Sequence, residues 1–463
     1  MRKNSLYKLI LVPAILLSLQ SCFVSKDYTR PEVENSEYFR TDLIPADSLT
    51  MADVSWRELF TDPFLVKYIE EGLANNIDIR IALQQILAAE AYMKQGKAGY
   101  FPSLNLGAQA LHQETSKNSQ LGGGGVNQFQ LSADLSWEAD IWGKIRSNDR
   151  ATQASYLQSV AAHKAVKTEL IANIASVYYQ LLALDEQMRI TLETIETRES
   201  SVETTNALKQ AGSVTEVGVQ QTEAQLYRAK AVLLDIENNI HILENTLSIL
   251  LGEAPQHLER SSLAEQQINT ELKIGVPAQL LSNRPDVMAA EYNLINAFEL
   301  TNVARSNFYP SLRLTASGGL QSLEFKDFFS ANSLFASVIG SLAQPIFNRR
   351  QIRTQYEVSQ AQQEIAFLNF RWTLLNASRE VSDALFNYET AVDKIEIKSN
   401  EFEAYRLATE YSQELLNNGF ANYLEVLTAR ENALNSRLDL INAEFNRLHA
   451  IVELYQALGG GWQ

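Results

Sequence analysis

Apolar and polar positions alternate along this chain in two rhythms, and each rhythm predicts its own kind of element. Leu104, Leu106, Ala108 and Ala110 alternate with Ser103, Asn105, Gly107 and Gln109. Further on, Phe129, Leu131, Ala133, Leu135 and Trp137 alternate with Gln128, Gln130, Ser132, Asp134 and Ser136. A period of two predicts strands with one apolar and one polar face. Leu312 and Leu314, then Leu334, Ala336 and Val338, repeat the pattern, and Gly122 to Gly125 predict a flexible loop in the first hairpin. The second rhythm steps by three and four. It runs through Ile171, Ile174, Tyr178, Leu181, Met188, Leu192, Ile195 and Val202, then through Leu226, Ala229, Leu233, Ile236, Ile240, Leu243, Leu247 and Leu250. Leu434, Leu438, Ile441, Phe445, Leu448, Val452 and Tyr455 continue it. A 3.5-residue repeat predicts coiled-coil packing with a left-handed supercoil. From Ser147 to Lys209 there is no Gly or Pro, which allows one helix of roughly 95 Å at 1.5 Å per residue. A globular core does not need helices this long.

The chain is also written twice. Gly99 to Leu106 (GYFPSLNL) returns as Asn307 to Leu314 (NFYPSLRL), a shift of 208. Ala211 to Val217 returns as Asn418 to Leu424, and Leu250 to Glu253 as Ala457 to Gly460, both shifted by 207. One near-constant shift over most of the chain predicts a structural duplication. Each half reads helix, strand, hairpin, strand, very long helix, turn, long helix. The strands are expected at about 103–113, 127–138, 310–320 and 333–344.

Composition narrows the chemistry. The net charge of −16 repels phosphate backbones, so nucleic acid is not expected as a partner. The five histidines (His112, His163, His241, His257 and His449) are scattered, and one cysteine excludes a disulfide framework or a Cys-based zinc site. No nucleophile–base set, phosphate-cradling loop or metal cluster is signalled, and Gly122 to Gly125 lacks the Lys-Ser/Thr and following helix of a phosphate loop. No enzyme and no cofactor is expected.

The lone cysteine has another use. Arg2, Lys3 and Lys8 precede an apolar run from Leu9 to Leu19, too short to span a bilayer as a helix. Leu19-Gln20-Ser21-Cys22 then stands at the cleavage position and resembles a bacterial lipobox, with Ser21 fitting it better than Gln20. Cys22 is thus a candidate lipidation site and the first residue after cleavage. Losing the three basic residues ahead of it takes the net charge from −16 to −19. Phe23 follows, so the aspartate associated with inner-membrane retention is absent. The expected organisation is a signal peptide over 1–21 and a lipid-anchored extended segment over 22–61. A first repeat over 62–260, a linker over 261–283 and a second repeat over 284–460 follow.

No later run reaches 18 consecutive apolar residues, so any membrane-spanning part must be β. Four strands cannot close a membrane barrel, because the smallest have eight and open edges cannot be left in lipid. Two copies would supply eight strands and three would supply twelve. Trp137, Trp142 and Phe347, at strand ends, suit either an aromatic girdle or internal packing.

These features resemble the TolC/OprM-like outer-membrane efflux lipoproteins. The matching stretches begin with Ser21-Cys22, Asp27 to Pro31 (DYTRP) and Trp56 to Ala82. They continue with Trp137 to Arg146 (WEADIWGKIR), Leu280 to Glu291 (LLSNRPDVMAAE), Tyr309 to Leu314, Leu342 to Arg353 and Asn417 to Arg430. The resemblance covers nearly the whole mature chain. The resemblance implies a fold that is mainly α with a membrane β-barrel portion. It further implies a homotrimer with a 12-stranded barrel and a 12-helix tunnel, in the outer membrane of a Gram-negative bacterium. Such a channel docks onto a periplasmic adaptor and an inner-membrane pump, and solutes leave through it passively. A type I protein secretion outlet shares this architecture; the lipid anchor and the DYTRP and RPD stretches favour drug or metal efflux. A non-conducting periplasmic scaffold would have no use for a lipid-facing β surface. Arg284-Pro285-Asp286, diagnostic of the family, reads physically as a helix start, with Pro in the first turn and Asp against the dipole.

A tunnel must close at its inner end. The helix–helix turns marked by Gly212 and Gly419 are candidate tips of that gate, since Gly suits a tight exit from a helix. Glu216 and Glu425 lie just past them. By the resemblance, Glu425 falls where TolC has the first of two ring aspartates, and Thr428 replaces the second. Three Glu425 side chains around one axis would form a negative ring; the alternative is a helix-start carboxylate favoured by the dipole.

Overall fold

The computed structural model describes residues 24–31, 54–116, 118, 124–266, 268 and 283–462. Cys22, the predicted signal segment and most of the predicted linker lie outside the described residues.

The duplication is visible in the element lengths. The first half contains α3 (Ile77–Ala98), β1 (Ser103–Thr115), β2 (Gly124–Ala139), α4 (Lys144–Gln210) and α5 (Glu216–Leu250), preceded by the short α1 (Trp56–Leu59) and α2 (Pro63–Asn75). The second contains α6 (Pro285–Ser306), β3 (Ser311–Ser322), β4 (Leu334–Ala343), α7 (Gln351–Asn417) and α8 (Tyr423–Ala457). Helices α3 and α6 have 22 residues each, α4 and α7 have 67, and α5 and α8 have 35. Equal lengths in equal order identify two copies of one unit. The largest departure from the expected strand bounds is at β2, which begins at Gly124 and takes in Gly124 and Gly125 of the glycine run. Among the described residues no helix is long and apolar enough to cross a membrane.

The chain divides into two compact units. Among the described residues, the first is built from 24–31, 85–160 and 289–371 and holds the sheet. Its strands pair antiparallel in the order β1-β2-β3-β4. The register turns the period-two pattern into two faces. Leu106 stands opposite Ala133, Leu135 opposite Ala316, Trp137 opposite Leu314, and Ala316 opposite Val338, so one face is apolar across all four strands. On the other face Asn105, Asp134, Ser317 and Ser337 form one cross-strand row. Gly319 is required by close approach, because a Cβ there would lie 1.9 Å from the Leu131 carbonyl oxygen.

An N-terminal strap is fastened in the same unit. Asn302, buried in α6, accepts the Lys26 N–H at 3.2 Å and donates to the Lys26 carbonyl at 2.9 Å. Arg150 reaches Asp27 at 3.2 Å and the buried Glu299 at 3.5 Å. Tyr28 packs edge-on against Phe298 at 5.6 Å.

The second unit is built from the described residues within 54–84, 161–288 and 372–462 and holds the main apolar core. Asp62 caps α2 by accepting the N–H groups of Phe64 and Leu65 at 2.8 and 3.1 Å, and it also accepts the Tyr178 hydroxyl at 2.9 Å. Phe60, Tyr178, Tyr179, Ile171, Ile174, Leu181 and Leu182 are fully buried there. Pro285 is the first residue of α6, as the helix-start reading of the RPD stretch requires. The guanidinium of Arg284 adds what that reading lacked. It is buried, grips Asp286 at 2.7 and 3.0 Å, and reaches Glu380 at 2.7 Å and the Ala457 carbonyl at 2.9 Å.

One expectation is corrected and one left open is narrowed. Within a single chain the apolar seam of α4 does not continue to its end: Leu192 is 49% exposed, and the buried positions there are Thr191, Arg198, Ser201 and Thr205. A straight helix drifts by about 20° per heptad against a 3.5-residue grid, so three heptads past Ile171 the grid has turned off the contact face. Of the two readings open for Trp142, its contacts favour packing: the residue is half-buried, with its indole N–H donated to the Pro310 carbonyl at 2.7 Å and its ring stacked on Tyr309.

Candidate functional site

Two features of the structure bear on function, one in each unit. In the first it is the apolar face of the sheet. Leu106 is 81% exposed and Val338 is 72% exposed, and Leu104, Leu314, Leu334 and Leu342 are exposed beside them. Among the described residues β1 and β4 each have a neighbour on one side only, so both edges present unpaired backbone donors and acceptors. Aromatic side chains flank the apolar band at both ends. At the end where the strands meet the long helices stand Tyr100, Phe101, Trp137, Phe308 and Phe347, all exposed. Beyond the other end, Phe325 packs edge-on against Phe129 at 5.4 Å and stacks on Phe328. An alternating face bounded by two aromatic rims is the surface pattern of an outer-membrane strand set.

In the second unit it is the helical tip. Gly212 (φ +73°) and Gly419 (φ +76°) close α4 and α7 in the left-handed conformation. In the first turn Gly212 donates to the Lys209 carbonyl and Ser213 to that of Leu208; in the second, Gly419 donates to Leu416 and Phe420 to Leu415. Each pair is a Schellman motif, which needs a positive φ at the glycine. An added Cβ would meet nothing at either glycine, so conformation rather than space requires them.

The two carboxylates differ. Glu216 is exposed and ion-paired with Lys209, and it accepts from Gln220 at 3.1 Å. The Lys209 ammonium and that hydrogen bond hold its carboxyl below the usual range. Glu425 belongs to a reciprocal cap: the Asn422 side chain accepts the Glu425 N–H at 3.1 Å and donates to the Glu425 carboxylate at 3.1 Å. Glu425 is exposed, and among the described residues no cation pairs with it.

Near the tip lies a polar cleft of about 1080 Å³, lined among others by Ser201, Gln413, Tyr423 and Arg430. Arg430 donates to Ser201 at 2.6 Å and to Gln413 at 2.8 Å. Its neighbour Glu431 accepts from Arg198 of α4 at 2.5 Å and from Arg228 of α5 at 3.1 Å, while Arg198 also donates to the Gln225 carbonyl. Residues 430 and 431 of α8 therefore fasten α4, α5 and α7 at one level. The sequence reading missed this clasp. Its one signal was an arginine at position 198, seven residues from Thr191 and from Thr205 in a stripe of small hydroxyl residues.

Comparison with known proteins agrees with this geometry. The family described as Outer membrane efflux protein matches the chain twice, over residues 68–253 and 276–460. Over 457 residues the chain is 28% identical to the solvent efflux pump outer membrane protein SrpC of Pseudomonas putida, covering 96% of this chain and 97% of that one. It is 27% identical over 455 residues to the cation efflux system protein CusC of Escherichia coli O6:H1, covering 97% and 98%. The solved outer-membrane channel OprN superposes with a TM-score of 0.88 at 24% identity, over 95% of this chain and all of that one, a likeness of fold. The chain belongs to the outer membrane efflux protein family.

Proposed function

We propose that three copies of this chain close their sheets into one 12-stranded barrel in the outer membrane. Their long helices continue it as a 12-helix tunnel, a passive conduit for small toxic solutes. The observation that carries the reading is the sheet with an apolar face across all four strands and two unpaired edges. Such edges are tolerated in lipid only if the sheet closes on itself, and pairing β4 of one copy with β1 of the next does this without new elements. The conduit performs no reaction, and energy comes from an inner-membrane pump joined through a periplasmic adaptor. Relatives are named for solvent and for cation efflux, which fits a shared outlet whose cargo is chosen by the pump.

The gate is assigned to the two glycine turns, with Glu425 as the ring carboxylate. Glu216 is the weaker candidate because Lys209 already offsets its charge. Purified protein in planar bilayers should pass current in discrete steps. Glu425→Gln should reduce cation selectivity and block by multivalent cations applied at the helical end, while Glu216→Gln should do less. Trimers that insert but never conduct would overturn the conduit; unchanged block in both variants would remove the carboxylates from the gate.

Lipidation at Cys22 completes the assignment. Lys26 and Asp27, four and five residues past Cys22, are held in the sheet-bearing unit by their bonds to Asn302 and Arg150, where an acyl anchor would serve the same membrane. Mass spectrometry of the membrane-extracted N-terminus should find a diacylglyceryl group on Cys22. An unmodified peptide running upstream through Cys22 would contradict it. Cys22→Ala should weaken targeting without abolishing insertion, since the barrel itself holds the protein in the membrane.

A further inference from the structure

Among the described sheet residues, the polar face carries three ionisable side chains: Asp134, Glu138 and Arg313. Two of them cancel. Glu138 and Arg313 stand opposite each other in register and pair at 3.2 Å, and Lys144 adds a second cation to Glu138 at 3.0 Å. Asp134 has no such partner among the described residues. It accepts the hydroxyls of Ser132 at 2.9 Å and Ser317 at 2.5 Å, neutral donors that orient a carboxylate without offsetting its charge. Its own cross-strand row is Asn105, Asp134, Ser317 and Ser337. In the next row Ser132 is flanked by Gly107 and Gly319, so no side chain on either adjacent strand overhangs the carboxylate from that side. Asp134 is exposed.

We infer that Asp134 is a selectivity-determining residue of the channel, which favours cationic over anionic solutes through one carboxylate per copy at a single level of the barrel. The inference rests on the closure of three sheets with the polar face inward. Twelve strands about 4.8 Å apart and tilted about 40° give a backbone radius of about 12 Å. Three inward carboxylates then lie within about one Debye length of the axis at 0.1 M salt (~10 Å), but well beyond it at 1 M (~3 Å). A permeating ion therefore feels them at low salt and not at high salt. This station is distinct from the tip, because its charge stands on the sheet and depends on no helix end.

Reversal potentials of the reconstituted full-length protein across a KCl gradient test the inference. At 0.1 M, Asp134→Asn should lower the cation-to-anion permeability ratio at least about twofold, in both the wild-type and the Glu425→Gln backgrounds. Asp134→Glu, which keeps the charge, should retain the ratio, and at 1 M wild type and Asp134→Asn should converge. A conducting Asp134→Asn channel with the wild-type ratio at 0.1 M would overturn the role of Asp134 and leave the conduit reading standing. If Asp134→Asn fails to assemble, Asp134→Glu carries the test: a changed ratio at 0.1 M would overturn it. Wild-type trimers that pass no current would overturn the conduit reading and this role together.

Discussion

Replacing Arg260 by Met should destabilise the protein by about 3–5 kcal/mol near neutral pH, the usual cost of leaving a buried charge unpaired. Arg260 follows α5, and its side chain is 9% exposed. It holds Asp185 of α4 in a fork at 2.5 and 2.9 Å and reaches Glu244 of α5 at 2.6 Å. Glu244 is 5% exposed. Burial alone would raise its carboxyl, but Arg260, with His257 at 2.8 Å, holds it below the usual range. A carboxyl depressed in the folded state stabilises above its unfolded value of about 4.3 and loses that contribution as pH falls through the folded value. Without Arg260 the sign reverses: Glu244 rises, and protonation relieves the penalty. Thermal unfolding in detergent should therefore show a deficit at pH 7 that narrows toward pH 4–5. An Arg260→Met protein that melts with wild type at pH 7 would show that the charges are solvated and the cluster contributes little.

Replacing Glu431 by Ala should loosen the tip. Glu431 accepts two charge-assisted hydrogen bonds; the one from the buried Arg198 contributes about 1.5–3 kcal/mol, and the one from the exposed Arg228 less than about 1 kcal/mol. The helix they hold carries a run of hydroxyl side chains at this level. Thr191, Thr194, Thr197, Ser201, Thr204 and Thr205 each donate to the carbonyl four residues back, a habit that bends helices. Gln187–Asn442 at 2.9 Å and Arg437–Glu186 at 3.4 Å also join α4 to α8, but the clasp at residues 430 and 431 is the polar restraint nearest the glycine turns. Losing about 2 kcal/mol of closed-state preference is a roughly thirtyfold shift toward an open tip. Glu431→Ala should then raise mean single-channel conductance several-fold, and Glu431→Asp should restore part of the closure. Unchanged conductance, with Arg198→Met equally silent, would mean that the clasp braces the helices without restraining the gate.

The parts legible in sequence were those with a period. Alternation in β1 and β2 fixed which face of the sheet is apolar because a strand has no other way to separate its faces. A shift of 207 to 208 residues exposed the duplication, and equal helix lengths in the two halves repeat it in the structure. Gly212 and Gly419 were legible as turns because a Schellman motif needs their conformation. What was hidden is long-range. Arg198 and Glu431 are 233 residues apart, Arg284 and Glu380 are 96 apart, and Lys26 and Asn302 are 276 apart. No local pattern joins such partners. Glu425 shows a different limit: its position past the turn was legible, but the cap with Asn422 depends on side-chain geometry that a position alone does not carry. Asp134 was legible as a polar-face residue, while its lack of a cationic partner required the register that pairs Glu138 with Arg313 instead.

The central claim is that the four-stranded sheet is a third of a closed barrel. Native mass measurement of the detergent-solubilised protein tests it most directly. Three chains per particle, in the same preparation that conducts in bilayers, is the predicted result. A conducting particle of one chain, or of two, would contradict it.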